Sequence, residues 1–251
     1  MSNTKVPSAQ NYDPGAWFWA TRRKESSPLG ASVWYLVRSL DIPLQYWLLT
    51  SGAGIRLLDW TGLRPVPQAV VSGEYLGLSA YYALIEGMAV GSSAKQIYWK
   101  AFIGEQRFPA SFALIVAIYN SVLNSINVLL ALWAVASQSN GGIASIVTAS
   151  SLSVKVGVLL YAAGLFVEWY SEIQRKQFKA DGRNDGKPYA DGLWSLATNI
   201  NYGGYTLWSV GFALVCGGCI NRASPSMDAY SQKRLGISAG YMIGEQVIAC
   251  I

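Results

Sequence analysis

Three groups of polar side chains stand inside or beside otherwise apolar stretches of this 251-residue chain. In "YNSVLNSIN", Asn120, Asn124 and Asn127 recur at i, i+4 and i+7, with Ser121 and Ser125 beside them. That spacing puts three amides on one face of a helix. Two readings stand open: amides that join helices, at about 1 kcal/mol each, or the polar wall of a substrate or cofactor cavity. Glu86 stands near the middle of a second apolar stretch, "YLGLSAYYALIEGMAVG". An isolated carboxylate there is driven neutral or needs a partner. As a neutral acid it can hold a hydrogen bond on a substrate carbonyl or pass a proton, and Tyr119 is a candidate phenolic donor. Lys95, further along, is expected to snorkel towards water. In the third group Glu168 and Glu172 lie one turn apart. Glu172 and Lys176 form a well-oriented i,i+4 pair, and Lys179 continues the basic face.

The chain has no histidine. Histidine-based triads, histidine metal sites and imidazole switches are therefore excluded, and no metal centre is expected. Acid–base chemistry falls to Asp, Glu, Lys, Tyr or Cys. Cys216 and Cys219 have C-x-x-C spacing, but no βαβ pattern surrounds them and no second pair completes a zinc site. They read as small polarizable packing residues.

The elements that must position these groups are apolar helices. Apolar residues make up 52% of the chain and charged ones only 13%, against about 25% charged in an average soluble domain. Five apolar segments, 33–51, 74–98, 110–136, 144–169 and 203–220, approach the length of a span, about 20 residues. The third and fourth are the clearest. The first is interrupted by Arg38, Asp41 and Pro43. The expected fold is an all-α polytopic transmembrane bundle of about five to six spans. Residues 1–30 read as a polar cytosolic tail without the apolar core of a signal peptide. Residues 31–220 read as the transmembrane domain, and 221–251 as an atypical tail.

The net charge of +5 suits basic cytoplasmic loops. With five spans, the N-terminal tail and the loops at 99–109 and 170–192 share one side. They carry Lys5, Arg22, Arg23, Lys24, Lys100, Arg107, Arg175, Lys176, Lys179, Arg183 and Lys187. The other side carries Arg56, Arg64, Arg222, Lys233 and Arg234. The N-terminus and the 170–192 loop are therefore expected in the cytosol. The bilayer is the expected partner. Nucleic acid is not, because no basic stripe with interleaved aromatics lies in a polar region.

Between Val167 and Trp208 a helix runs out of the apolar segment, "ADGRNDGKPY" breaks it, and "DGLW" leads back into "NINYGGYTLW". This stretch resembles the steroid 5α-reductase-like membrane proteins, most closely the fungal branch of the domain family of unknown function grouped with them. That superfamily includes sterol C14 reductases and isoprenylcysteine carboxyl methyltransferases. The resemblance rests on Glu168, Glu172, Gln174, Arg175 and Phe178, then "NDGKPY", "GLW" and the segment usually written S-R-H-P-N-Y-x-G-E. It covers roughly residues 30–215. It implies an endoplasmic-reticulum membrane protein that holds NADPH at the cytosolic mouth of its bundle, with 170–202 as the cofactor-binding helix and loop. Glu168, Glu172, Gln174, Asn201 and Tyr202 are the implied cofactor residues, with Lys179 and Arg183 beside them. Gly203 and Gly204 would let the backbone come close to the nucleotide. Glu86 and Tyr119 would serve as the deep acid and phenol.

Two departures stand out. The Arg-His of the signature is Thr198-Asn199 here, which removes a cation able to hold a phosphate. The end of the chain also departs, because "SMDAYSQKRLG" follows "CGGCI" where relatives have a further apolar segment. The leading expectation is an NADPH-dependent reductase of an activated C=C bond in a steroid, terpenoid or polyketide-like lipid. The alternatives are a non-redox isomerase or cyclase on the same fold and a non-catalytic membrane paralogue. Methyl transfer ranks lower, because the Arg-His pair and the final Arg/Glu-bearing helix of that branch are not found.

Overall fold

The computed structural model describes residues 26–62, 75–136, 151–184 and 187–217. The expectations for the tail at 221–251, for Cys219 and for most of the N-terminal tail lie outside these residues. The described residues form a helical bundle without a β-strand, and Tyr75 and Leu78 pair in an isolated bridge. Helix α1 runs Pro28–Thr50, α2 Ala53–Trp60, α3 Ala80–Tyr98, α4 Ala110–Ala136, α5 Ser151–Ala180 and α6 Ile200–Gly217. A wide π-helical turn, Trp99–Ile103, extends α3.

Local chemistry sets several of these ends. Pro28 occupies the first turn of α1, where its missing N–H costs nothing. The Ser27 hydroxyl at its cap accepts instead from the Phe108 N–H at 2.8 Å, tying the start of α1 to the approach to α4. Ser79 caps α3 by accepting from the Tyr82 N–H. The 30 residues of α5 make a rod about 45 Å long. That exceeds a hydrocarbon core of about 30 Å, so α5 projects beyond its apolar half.

Helices α5 and α6 pack through glycines. A Cβ on Gly164 would sit 2.3 Å from the Trp208 nitrogen, and one on Gly204 2.5 Å from the Glu168 nitrogen. A Cβ on Gly211 would sit 2.5 Å from the Tyr161 nitrogen. Bare backbone is therefore required along the seam, as in close-packed membrane helices.

Helices α1, α3 and α4 are held differently, by a polar layer. Arg38 and Asp41 form an i,i+3 ion pair at 3.2 Å with both side chains fully buried. Arg38 also donates to Ser93 at 2.7 Å and to Ser121 at 3.1 Å. Asp41 accepts from Gln45 at 2.8 Å, Asn124 at 2.7 Å and Ser93 at 3.1 Å. One turn along, Gln96 donates to Asn120 at 2.8 Å. Arg38 and Asp41, two of the residues that interrupt the first apolar segment in the sequence, therefore point inwards, and α1 continues through Pro43.

Among the described residues two helices are long and apolar enough to cross a membrane, over Ala110–Val135 and Leu152–Ala180. Leu114, Ile115, Ile118, Val122 and Ile126 leave one side of α4 apolar and exposed, and Leu159 and Phe166 do the same on α5. Such faces suit lipid and are consistent with membrane integration. Among the described residues α1, α3 and α6 do not meet the same measure, so five to six spans are not established by length and hydropathy.

Candidate functional site

The glycine seam fixes how α6 presents its polar residues to α5. Asn201, Tyr205 and Trp208 fall at i, i+4 and i+7 and so share a face of α6. The Asn201 amide donates to Glu172 at 2.7 Å. The Trp208 indole N–H donates to Glu168 at 2.7 Å. The two carboxylates one turn apart on α5 are thus each held by α6. Glu172 is 3% exposed and takes a second partner, the Arg175 guanidinium. Glu168 is ion-paired with Lys95 from α3, and the Lys95 ammonium lies 5.8 Å from the centre of the Trp208 ring.

The returning loop closes the arrangement. Gln174 accepts from the Leu193 N–H at 3.1 Å. Trp194 donates to the Ser171 carbonyl at 2.8 Å, and the Arg175 guanidinium lies over the Trp194 ring. Gly192 has φ +61°, and a Cβ there would meet the Gln174 amide at 2.5 Å, so glycine serves both the turn and the contact. Lys176 donates to the Phe102 carbonyl in the π-helical turn after α3.

The site residues expected from sequence divide clearly. Glu168, Glu172 and Asn201 come together, whereas Gln174 holds the returning loop at Leu193. Tyr202 does not join them: it is 67% exposed and its neighbour Asn201 takes the inward position. Lys179 is exposed. Arg183 is exposed too, and its guanidinium is gripped by Asp181, which holds the Asp181 carboxyl below its usual range. Gly203 has open space around it, whereas Gly204 is required by the α5 backbone. The closeness expected between glycine and nucleotide is thus taken up, at Gly204, by helix packing.

Glu86 and Tyr119 are not brought together. Tyr119 is 58% exposed on α4, and among the described residues no hydrogen bond or ion pair joins the two. Glu86 keeps one buried carboxylate oxygen without a partner. Asn120 and Asn124 bond to protein groups across α1, α3 and α4, as the helix-joining reading expected. Asn127 is half-buried, and its side chain has no hydrogen bond to another described residue. No cluster of three or more possible metal ligands occurs among the described residues.

Sequence reasoning missed Lys95, Trp208 and the Arg38–Asp41 layer. Lys95 carried a signal, since a lysine within an apolar helix either snorkels or has a partner, and here the partner is Glu168.

Residues 96–225, just over half of the chain and all of α5 and α6, match the family described as "Protein of unknown function (DUF1295)". The chain belongs to the DUF1295 family. The DUF1295 match begins at Gln96, so it contains the acids, Asn201 and Trp208 but stops one residue short of Lys95. The chain is also similar to the "Probable O-methyltransferase ustE" of Ustilaginoidea virens. The two are 33% identical over 235 residues, covering 84% of this chain and 81% of that protein. No solved structure matches.

Proposed function

We propose that this chain is a membrane-embedded enzyme that modifies an apolar small molecule, using a nucleoside cofactor held where α5 meets α6, and that the reaction is methyl transfer. The observation that carries the reading is Asn201. Its amide nitrogen is committed to Glu172, while its Oδ1 is buried with no partner. A buried acceptor left without a donor costs about 1–3 kcal/mol. An N–H or O–H of a ligand seated beside Glu172 would recover that cost. The donor set fits such a cofactor: Glu168 and Glu172 can accept from ribose hydroxyls, and Asn201 Oδ1 from a further donor.

S-adenosylmethionine and NADPH share this adenosine chemistry. One observation favours the first. The relative from Ustilaginoidea virens carries a methyltransferase name, which reverses the order expected from sequence. S-adenosylmethionine would supply an electrophilic methyl group. The residues of this chain bind it, orient it and keep water from it.

The second reading is NADPH-dependent reduction of an activated C=C bond in a steroid, terpenoid or polyketide-like lipid. It rests on the resemblance of Glu168, Glu172, Gln174 and Asn201 to the reductase pattern. In both readings the protein sits in an internal membrane such as the endoplasmic reticulum, with the α5–α6 end and its basic loops in the cytosol.

The test is titration of the full chain in lipid nanodiscs with each cofactor. S-adenosylmethionine is expected to bind, and Asn201→Ala to weaken it about five- to tenfold. Product mass separates the chemistries, since methyl transfer adds one methylene and reduction two hydrogens. If the wild type binds neither cofactor, the reading fails.

A further inference from the structure

We propose that Lys95 is the cation of the α5–α6 site and binds the anionic oxygen group of the cofactor, a carboxylate or a phosphate, that Thr198-Asn199 has no charge to hold. The proposal rests on the nucleoside-cofactor reading above. Lys95 lies near the end of α3, and its side chain is only 12% exposed. Its ion pair is with Glu168, itself 15% exposed, and the Trp208 ring that bonds the same carboxylate lies beside the ammonium.

An ammonium carries three N–H donors and no acceptor. Glu168 takes one, and the Trp208 face offers a weak electrostatic contact. Among the described residues no hydrogen bond answers the others. A largely buried donor without an acceptor is unfavourable, so an oxyanion entering beside Glu168 completes the lysine. Lysine suits this role as a compact point charge that can bridge two oxyanions. The nearest alternative, Arg175, lies against Glu172 and the Trp194 ring. Cationic duty at this end of the bundle therefore moves from the α6 signature to α3. One cation matches the single carboxylate of S-adenosylmethionine; a dinucleotide would present several phosphate charges.

The experiment compares wild type, Lys95→Met and Lys95→Arg, each as the full chain in nanodiscs. Titrants are S-adenosylmethionine, NADPH and 5′-methylthioadenosine, which keeps the adenosine but has no carboxylate. A thermal melt of each variant checks folding. Lys95→Met is expected to weaken S-adenosylmethionine about tenfold or more and to leave 5′-methylthioadenosine within about twofold. Lys95→Arg is expected to restore most of the affinity. If the anion is a phosphate, the loss falls on NADPH instead, which also supports the assignment. An equal loss for 5′-methylthioadenosine means that Lys95 acts only by holding Glu168, and overturns it. So does an unchanged affinity in Lys95→Met. Failure of the wild type to bind either cofactor removes the cofactor reading itself, a different result from binding that ignores Lys95.

Discussion

Replacing Asp41 tests whether the polar layer holds the bundle together. Its carboxylate accepts from Gln45, Asn124 and Ser93 and is ion-paired with Arg38, and neither charged side chain reaches solvent. Asp41→Ala removes all four interactions and leaves the Arg38 charge buried. Loss of one partner of a buried pair costs about 3–5 kcal/mol. Replacing both charges with apolar residues removes the orphaned ion, and such replacements are often neutral or stabilising. The double variant Arg38→Leu/Asp41→Leu is therefore expected to be more stable than Asp41→Leu alone, and the cycle closed with Arg38→Leu is expected to show about 2 kcal/mol or more of coupling between the positions. The assay is reversible unfolding in mixed micelles along a denaturing-detergent gradient, followed by tryptophan fluorescence. Asn124→Leu gives the scale of the neutral bonds: it removes contacts to Asp41 and Ser92, and interhelical bonds in a membrane average about 0.6 kcal/mol each. Two results would refute the reasoning. One is an Asp41→Ala cost below about 1 kcal/mol, which would mean water reaches the pair. The other is strict additivity in the double variant.

Two further outcomes follow from the same geometry. Gly204→Ala places a methyl group 2.5 Å from the Glu168 nitrogen, so α6 must shift; a loss of about 1–3 kcal/mol is expected, together with weakened cofactor binding. Unfolding and titration of one preparation check both, and unchanged binding would detach the seam from the site. Glu86→Gln is expected to change stability by no more than about 0.5 kcal/mol, because the buried oxygen has no partner to lose; a melting shift of several degrees would reveal a partner.

Much of the helical framework was legible because it depends on apolar run lengths. The five apolar segments correspond to α1, α3, α4, α5 and α6, and α5 does continue beyond its apolar half. That Glu172 and Asn201 would meet was legible through the motif that pairs the α5 acids with the start of α6. What stayed hidden depended on direction. Arg38 and Asp41 looked like breaks because hydropathy registers a charge without registering its face; three residues apart on a helix, they turn inwards together. Tyr202 follows Asn201 in the chain, but one helical step swings its side chain about 100° away, and it ends outside. In the sequence Lys95 looks free to snorkel, because its partner Glu168 comes from a distant helix. Gly204 sits in the motif as expected, yet it serves the packing of two backbones.

The site lies where two differently built units meet. Helices α5 and α6 are joined by bare backbone, and α1, α3 and α4 by buried charges and amides. Contacts between the units include Lys95 to Glu168, Lys176 to the Phe102 carbonyl, Tyr161 to the Met88 carbonyl and Tyr81 to the Val215 carbonyl. Glu168, Glu172, Asn201 and Trp208 all belong to the glycine-packed unit. Their mutual geometry is set by a seam that tolerates no added carbon, so the wall that would face the cofactor is positioned chiefly by the packing of α5 on α6. Lys95 alone among the proposed ligand-binding groups is brought by the polar unit. A cofactor contacting both would add a link between the two units, and its binding energy would depend on how well they already sit together. The buried layer around Asp41 lies on the unit that carries Lys95, on the same helix bundle and within a few turns of it. The charges that made α1 look unsuited to a membrane therefore hold in place the element that supplies the site's proposed cation.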